Sequence, residues 1–153
     1  MGQLNLGNWG RFQSARTNGL SRILAALIQR NDCTIICIIP GFTPQDAQAW
    51  TRPHCQIQTR PIDLSALLVN ADLVVNEGGH GLVTETLAAG VPMLLAPEFI
   101  EQYMLAQRVL QLGVGLVSGA VRSTNVVSKH LSQLMGDEIF EVNASKFSVR
   151  YNV

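Results

Sequence analysis

Two hydrophobic periods alternate along this chain from end to end. Short apolar runs bounded by turn residues read as buried strands, and stretches with apolar residues every three or four positions read as helices. Leu4-Asn5-Leu6 is a short strand. Leu20, Ile23, Leu24, Leu27 and Ile28 form one stripe that predicts a helix from about Thr17 to Arg30. Thr34 to Ile39 reads as a strand closed by Pro40-Gly41, and Thr43 to Trp50 as a short helix with Thr43 as cap and Pro44 at its first position. A strand at Cys55 to Thr59, a short helix at Leu64 to Leu68 and a strand at Ala71 to Val75 follow. After a glycine-rich turn come a helix ending at Gly90, a strand at Met93 to Ala96, and a helix from Glu98 to Leu112 with Leu105, Val109 and Leu112 on one side. Gly113 to Val117 is the last strand. Ser123 caps a helix that runs to Met135, and the tail from Asp137 to Tyr151 forms another, bearing Ile139, Phe140, Ala144 and Phe147. Repeated βα units imply an α/β fold: a Rossmann-like three-layer αβα sandwich around a mainly parallel sheet, a single domain over residues 1–153. In such a sheet ligands sit beyond the carboxyl ends of the strands.

Composition narrows the function. Hydrophobic residues make up 47% of the 153 positions and charged residues only 14%, well below the ~25% of ordinary soluble domains. Part of the surface is therefore expected to face another domain or subunit. Net charge is zero, so no basic footprint points to nucleic acid. No apolar run reaches the ~18 residues of a membrane span, and no signal-peptide pattern opens the chain. Cys33, Cys37 and Cys55 read as reduced core thiols, which suits a cytoplasmic protein. No further ligands stand at zinc-site spacing, and neither a metal nor a cofactor is expected.

The candidate chemistry lies in Asn76-Glu77-Gly78-Gly79-His80-Gly81-Leu82-Val83-Thr84-Glu85. An apolar strand runs into a glycine-rich turn that opens a helix. Glycines let a ligand approach the backbone, and the first N–H groups of a helix have no partner within it, so the turn is an anion site. In an α/β domain the natural anion is a phosphate or diphosphate. The glycines at Gly113, Gly115 and Gly119 are not a dinucleotide fingerprint, because they begin a strand rather than end one, and no P-loop pattern exists. His54 and His130 read as surface residues, and His80 as a helix-surface residue at a variable position of the turn. Asn143-Ala144-Ser145 matches a glycosylation sequon by chance.

The segment Ala71 to Val117, with its run EGGHGLVTETLAAGVPMLLAPEFIEQYMLAQRVLQLGVG, resembles the donor-binding half of GT-B glycosyltransferases, especially the UDP-glycosyltransferase and antibiotic or sterol glucosyltransferase group. The family's spacing is kept at Glu85, Gly90, Pro92, Pro97, Gln102, Ala106, Gly113 and Gly115. The resemblance implies the C-terminal half of a GT-B fold, without its N-terminal acceptor half. It implies that Gly78, Gly79 and Gly81, with the flanking Glu77, His80 and Leu82, form the diphosphate turn. Glu85 would hydrogen-bond the ribose, a role that suits a carboxylate accepting from adjacent hydroxyls. Glu101 and Gln102 would meet the donor sugar, Gly7 and Asn8 would form the first loop over the phosphates, and Arg60 to Ile62 would meet the base. The reaction implied is transfer of a hexosyl group from a UDP- or dTDP-sugar to an acceptor hydroxyl, with the base for the acceptor supplied by the other half.

Two residues depart from the family pattern. Glu77 replaces a histidine that donates to the diphosphate, and Leu82 replaces a hydroxyl residue. Two unit charges ~4 Å apart repel by about 4 kcal/mol at an effective dielectric of 20. Glu77 escapes that cost by turning away, by protonating, by pairing with an arginine such as Arg11 or Arg16, or by acting as a helix cap. The same two residues motivate an alternative reading: a non-catalytic binding or interaction domain that has kept the fold and lost its phosphate donors.

Overall fold

A computed structural model describes residues 2–6, 18–119 and 123–151. In chain order these form β1 (Gly2–Leu6), α1 (Asn18–Ile28), β2 (Cys33–Ile38), α2 (Pro44–Trp50), β3 (Cys55–Gln58), α3 (Leu64–Leu68), β4 (Leu73–Asn76), α4 (His80–Ala88), β5 (Met93–Leu95), α5 (Ile100–Leu112), β6 (Gly115–Val117), α6 (Thr124–Gly136) and α7 (Glu138–Tyr151). Each expected strand and helix is present, with small shifts at the ends. β6 begins at Gly115 because Gly113 instead closes α5, at φ 68° in the left-handed region. The predicted cap of α2 forms in full: Thr43 Oγ1 accepts from the Asp46 N–H at 3.1 Å, and the Asp46 carboxylate accepts from the Thr43 N–H at 3.1 Å. Ser123 caps α6, its Oγ accepting from the Asn125 N–H.

The six strands form one sheet in the order β3-β2-β1-β4-β5-β6. Every neighbouring pair is parallel, with Leu4 beside Ile35 on one side and Leu73 on the other, and Leu95 beside Val117. The chain steps outward from β1 to β3, returns to the far side of β1, and steps outward again to β6. One face of the sheet is covered by α1 and α6, whose Leu20, Ile23, Leu24, Leu27, Val127 and Leu131 pack on Ile35, Leu73, Val75 and Leu94. The other is covered by α3, α4, α5 and α7, with Val83, Ala106, Val109 and Ala144 against Met93 and Leu95. Three layers result, as the fold class requires, and strands buried on both faces explain why their sequences read as continuous apolar runs.

The helical register of α5 differs from the stripe expected. Ala106 and Val109 are its buried residues, whereas Leu105 is half-buried and Leu112 is 46% exposed. Ala106 and Val109 share a buried cluster with Met93, Leu95 and Val114. Cys33, Cys37 and Cys55 are free thiols in the core beneath α1. Cys37 and Cys55 lie 3.9 Å apart at their sulfurs, and the hydrogen bond to Cys55, together with burial, pushes the Cys37 thiol well up. The tail helix α7 crosses to the α4 side. Ser148 Oγ donates to the Ala88 carbonyl at 2.7 Å, and Asn143 Nδ2 donates to the Gly113 carbonyl at 3.0 Å, so the sequon asparagine serves as a C-terminal cap for α5.

Candidate nucleotide-sugar site

The strand order places a reversal between β1 and β4. α1, which follows β1, lies on one face of the sheet and α4, which follows β4, on the other; at such a reversal open α/β sheets take ligands at the carboxyl ends of their strands. The glycine turn lies at the end of β4 beside that reversal. Gly7 and Asn8, expected over the phosphates, and Arg11 and Arg16, named as possible partners of Glu77, fall outside the described residues.

Asn76 ends β4 and starts the turn. It is 1% exposed, and its Oδ1 accepts from the Gly78 N–H at 2.7 Å, an Asx turn that fixes the chain's exit from the sheet. Its Nδ2 has no hydrogen-bond partner among the described residues. Gly78 adopts φ 97°, a conformation that disfavours any side chain, and it lies against Gln102, whose carbonyl oxygen would be 3.4 Å from an added Cβ. Gly79 and Gly81 differ in kind. Neither has positive φ, and among the described residues a Cβ on either would meet nothing within 4 Å. The described structure therefore does not require glycine at these two positions. Their effect is to leave the start of α4 bare: Gly79, the N-cap, makes no side-chain cap bond, and Gly79, His80 and Gly81 are all exposed. The first N–H groups of α4 are open to a ligand, at the positive end of the helix dipole.

The other predicted residues lie around this point. Glu85 is exposed on α4, one turn beyond Gly81 and on the same stripe of the helix. Leu82 is half-buried and brings no hydroxyl. Glu101 is exposed in the first turn of α5, which follows β5, the strand next to β4. Gln102 beside it is engaged structurally: Oε1 accepts from the N–H groups of Glu98 at 2.8 Å and Phe99 at 3.1 Å. Its Nε2 donates to Glu77 Oε2 at 3.3 Å. Glu77 is half-buried, and this bond turns its carboxylate toward α5. Arg60 and Ile62 are exposed after the carboxyl end of β3, the edge strand, so they sit on the same rim as the turn but two strands beyond β1. Asp63 next to them caps α3, and its bonds from Ser65 lower its pKa.

Two histidines expected at the surface are not there. His54 is half-buried, with Nε2 3.0 Å from the Ile28 carbonyl at the end of α1. His130 is half-buried on α6, with Nδ1 2.6 Å from Oγ of Ser118, which is 3% exposed just past β6. Burial lowers the His130 pKa from its ordinary value. Sequence periodicity gave no sign of either contact, because each partner lies on a distant segment. The role of Asn76 was more accessible, since asparagine two residues before glycine is a common turn start.

Residues 22–150 match the family described as erythromycin biosynthesis protein CIII-like, C-terminal domain. This chain belongs to that family. The domain is 37% identical over 89 residues to a sterol 3-beta-glucosyltransferase of Leptosphaeria maculans, an alignment covering 58% of the domain and 6% of the relative. It is 26% identical over 129 residues to a zeaxanthin glucosyltransferase of Pseudescherichia vulneris, covering 84% of the domain and 31% of that enzyme. Among solved structures, the glycosyltransferase VinC in complex with dTDP superposes with a TM-score of 0.85 at 19% identity, over 100% of this chain and 38% of that one. The spinosyn rhamnosyltransferase SpnG, complexed with thymidine diphosphate, gives 0.81 at 20% identity, over 97% and 40%. The domain thus has the fold of a C-terminal GT-B half and spans well under half the length of these relatives. Among the described residues no helix is long and apolar enough to cross a membrane.

Proposed function

We propose that this domain binds the nucleoside diphosphate of a UDP- or dTDP-sugar and serves as the donor half of a hexosyltransferase. The observation that carries the proposal is the uncovered start of α4 at the strand reversal. Two glycines that neither the backbone nor the described neighbours demand leave its N–H groups open among the described residues. Supporting it, two structural neighbours of the same fold are described as complexes with thymidine diphosphate.

In this reading the diphosphate lies on the N–H groups of His80, Gly81 and Leu82. Negative charge grows on it as the sugar leaves, and prepositioned N–H donors with the helix dipole stabilise that charge without reorganising. Glu85 accepts from the ribose hydroxyls, Glu101 meets the sugar, and Arg60 and Ile62 lie toward the base. No further cofactor is part of the proposal. The acceptor hydroxyl and the base that deprotonates it belong to another domain or subunit, which would cover the exposed Phe99, Ile100 and Met104 at the start of α5. A cytoplasmic setting, where nucleotide sugars and reduced thiols both occur, fits the three free cysteines.

Isothermal calorimetry with UDP, dTDP and GDP tests the proposal. Saturable heat with UDP or dTDP is expected, and Glu85→Ala should weaken it by about 1.5–3 kcal/mol, the worth of hydrogen bonds to a charged acceptor. No heat with any of the three at millimolar ligand would favour the non-catalytic reading that Glu77 and Leu82 suggest. Unchanged affinity in the variant would remove Glu85 from the site.

A further inference from the structure

The glycine turn and the first turn of α5 are joined by a bond across 25 residues of sequence, from Gln102 Nε2 to Glu77 Oε2 at 3.3 Å. A glutamine amide has two acceptor positions on its oxygen and two N–H donors. In Gln102 both acceptor positions are used, by the N–H groups of Glu98 and Phe99. One donor goes to Glu77. Turning the amide over would set its NH₂ against two N–H donors and its oxygen against a carboxylate, so three contacts fix one orientation. Gly78 closes the arrangement from the other side: it carries no side chain where it meets the carbonyl and Cβ of Gln102. Among the described residues, what Gln102 still has to offer is a single N–H.

We propose that Glu77 is a positioning residue: by holding Gln102 it ties the turn after β4 to the head of α5 and fixes position 102 as a hydrogen-bond donor toward an acceptor oxygen of the ligand. This rests on the nucleotide-sugar reading given above. It assigns the carboxylate at position 77 a task other than contact with the diphosphate. It also divides the labour at the head of α5, since the exposed carboxylate of Glu101 accepts from sugar hydroxyls while Gln102 only donates. The ligand oxygen that Gln102 meets is a phosphate oxygen or a sugar hydroxyl, and the two are separable by ligand choice.

Glu77→Gln and Glu77→Ala both remove the charge, but only glutamine keeps an acceptor for the Gln102 N–H. Calorimetry with UDP, UDP-glucose, dTDP and dTDP-glucose should find Glu77→Ala on the order of tenfold weaker than Glu77→Gln. A difference seen already with UDP or dTDP assigns the remaining N–H to a phosphate oxygen. A difference confined to the glucose conjugates assigns it to a sugar hydroxyl. Equal affinities of the two variants for all four ligands would overturn the proposal. A second measurement needs no ligand: the side-chain NH₂ signals of Gln102 in ¹⁵N–¹H spectra should move in Glu77→Ala and largely keep their wild-type positions in Glu77→Gln. If wild type binds none of the four ligands, the nucleotide-sugar reading fails while the NH₂ signals still report on the tie. Signals unmoved in Glu77→Ala would show that the tie does not exist.

Discussion

Gly81 separates the demands of folding from those of the site. It lies inside α4 with negative φ and open space where a Cβ would go, so alanine fits there and should stabilise the helix by about 0.5–1 kcal/mol. The same methyl group would stand over N–H groups that a diphosphate needs. Gly81→Ala is therefore expected to raise the thermal midpoint slightly while weakening UDP or dTDP binding on the order of tenfold. A variant that gains stability and loses no affinity would show that the bare helix start is not the anion site. Gly78, by contrast, is a folding glycine, favoured by its φ of 97°. From sequence the three glycines looked alike; only the backbone angles and the surrounding space told them apart. Glu77 shows the same limit. Its departure from the family pattern was legible from sequence, but its bond with Gln102 was not, because Gln102 lies on another element.

Elements were read well wherever one periodic stripe met one surface. α1 packs a single face on the sheet, and α2 and α6 carry their cap residues in the sequence next to them, so their limits could be placed in advance. On α5 the expected Val109 is buried and Leu105 half-buried, but Ala106 takes the buried place expected of Leu112, because Leu112 outweighs Ala106 in hydrophobicity. Links between elements were the least visible. The contact of His130 on α6 with Ser118 after β6 is one of them, and it carries a pH dependence. Burial depresses the folded-state pKa of His130 below the ordinary histidine value. The unfolded chain then binds the proton more readily than the folded one. Stability contributed by the neutral ring is fully present above the unfolded pKa and is lost as pH falls through the lower folded value. Urea midpoints measured from about pH 8 down to about pH 5 should fall further for wild type than for His130→Gln, whose amide keeps a hydrogen-bonding partner for Ser118. Parallel curves would mean that the buried ring is not the source.

At the scale of the molecule, the alternation of strand and helix was enough to give the layered fold, and the spacing from Glu77 to Gly115 was enough to give the family. The strand order itself was not written in the periodicity. It is the order β3-β2-β1-β4-β5-β6 that puts the reversal beside the glycine turn and so makes the carboxyl ends of β1 and β4 the place for a ligand. Low overall charge and the exposed Phe99, Ile100 and Met104 fit a domain that shares its cleft with another. Of all the assignments, the location of the diphosphate on the start of α4 bears the most weight. Backbone ¹⁵N–¹H spectra recorded as UDP or dTDP is added test it residue by residue. Saturable shifts are expected, largest at Gly78, Gly79, His80, Gly81 and Leu82 and small on α2 and α6. Saturable shifts centred elsewhere, with the amides of the glycine turn unmoved, would contradict it.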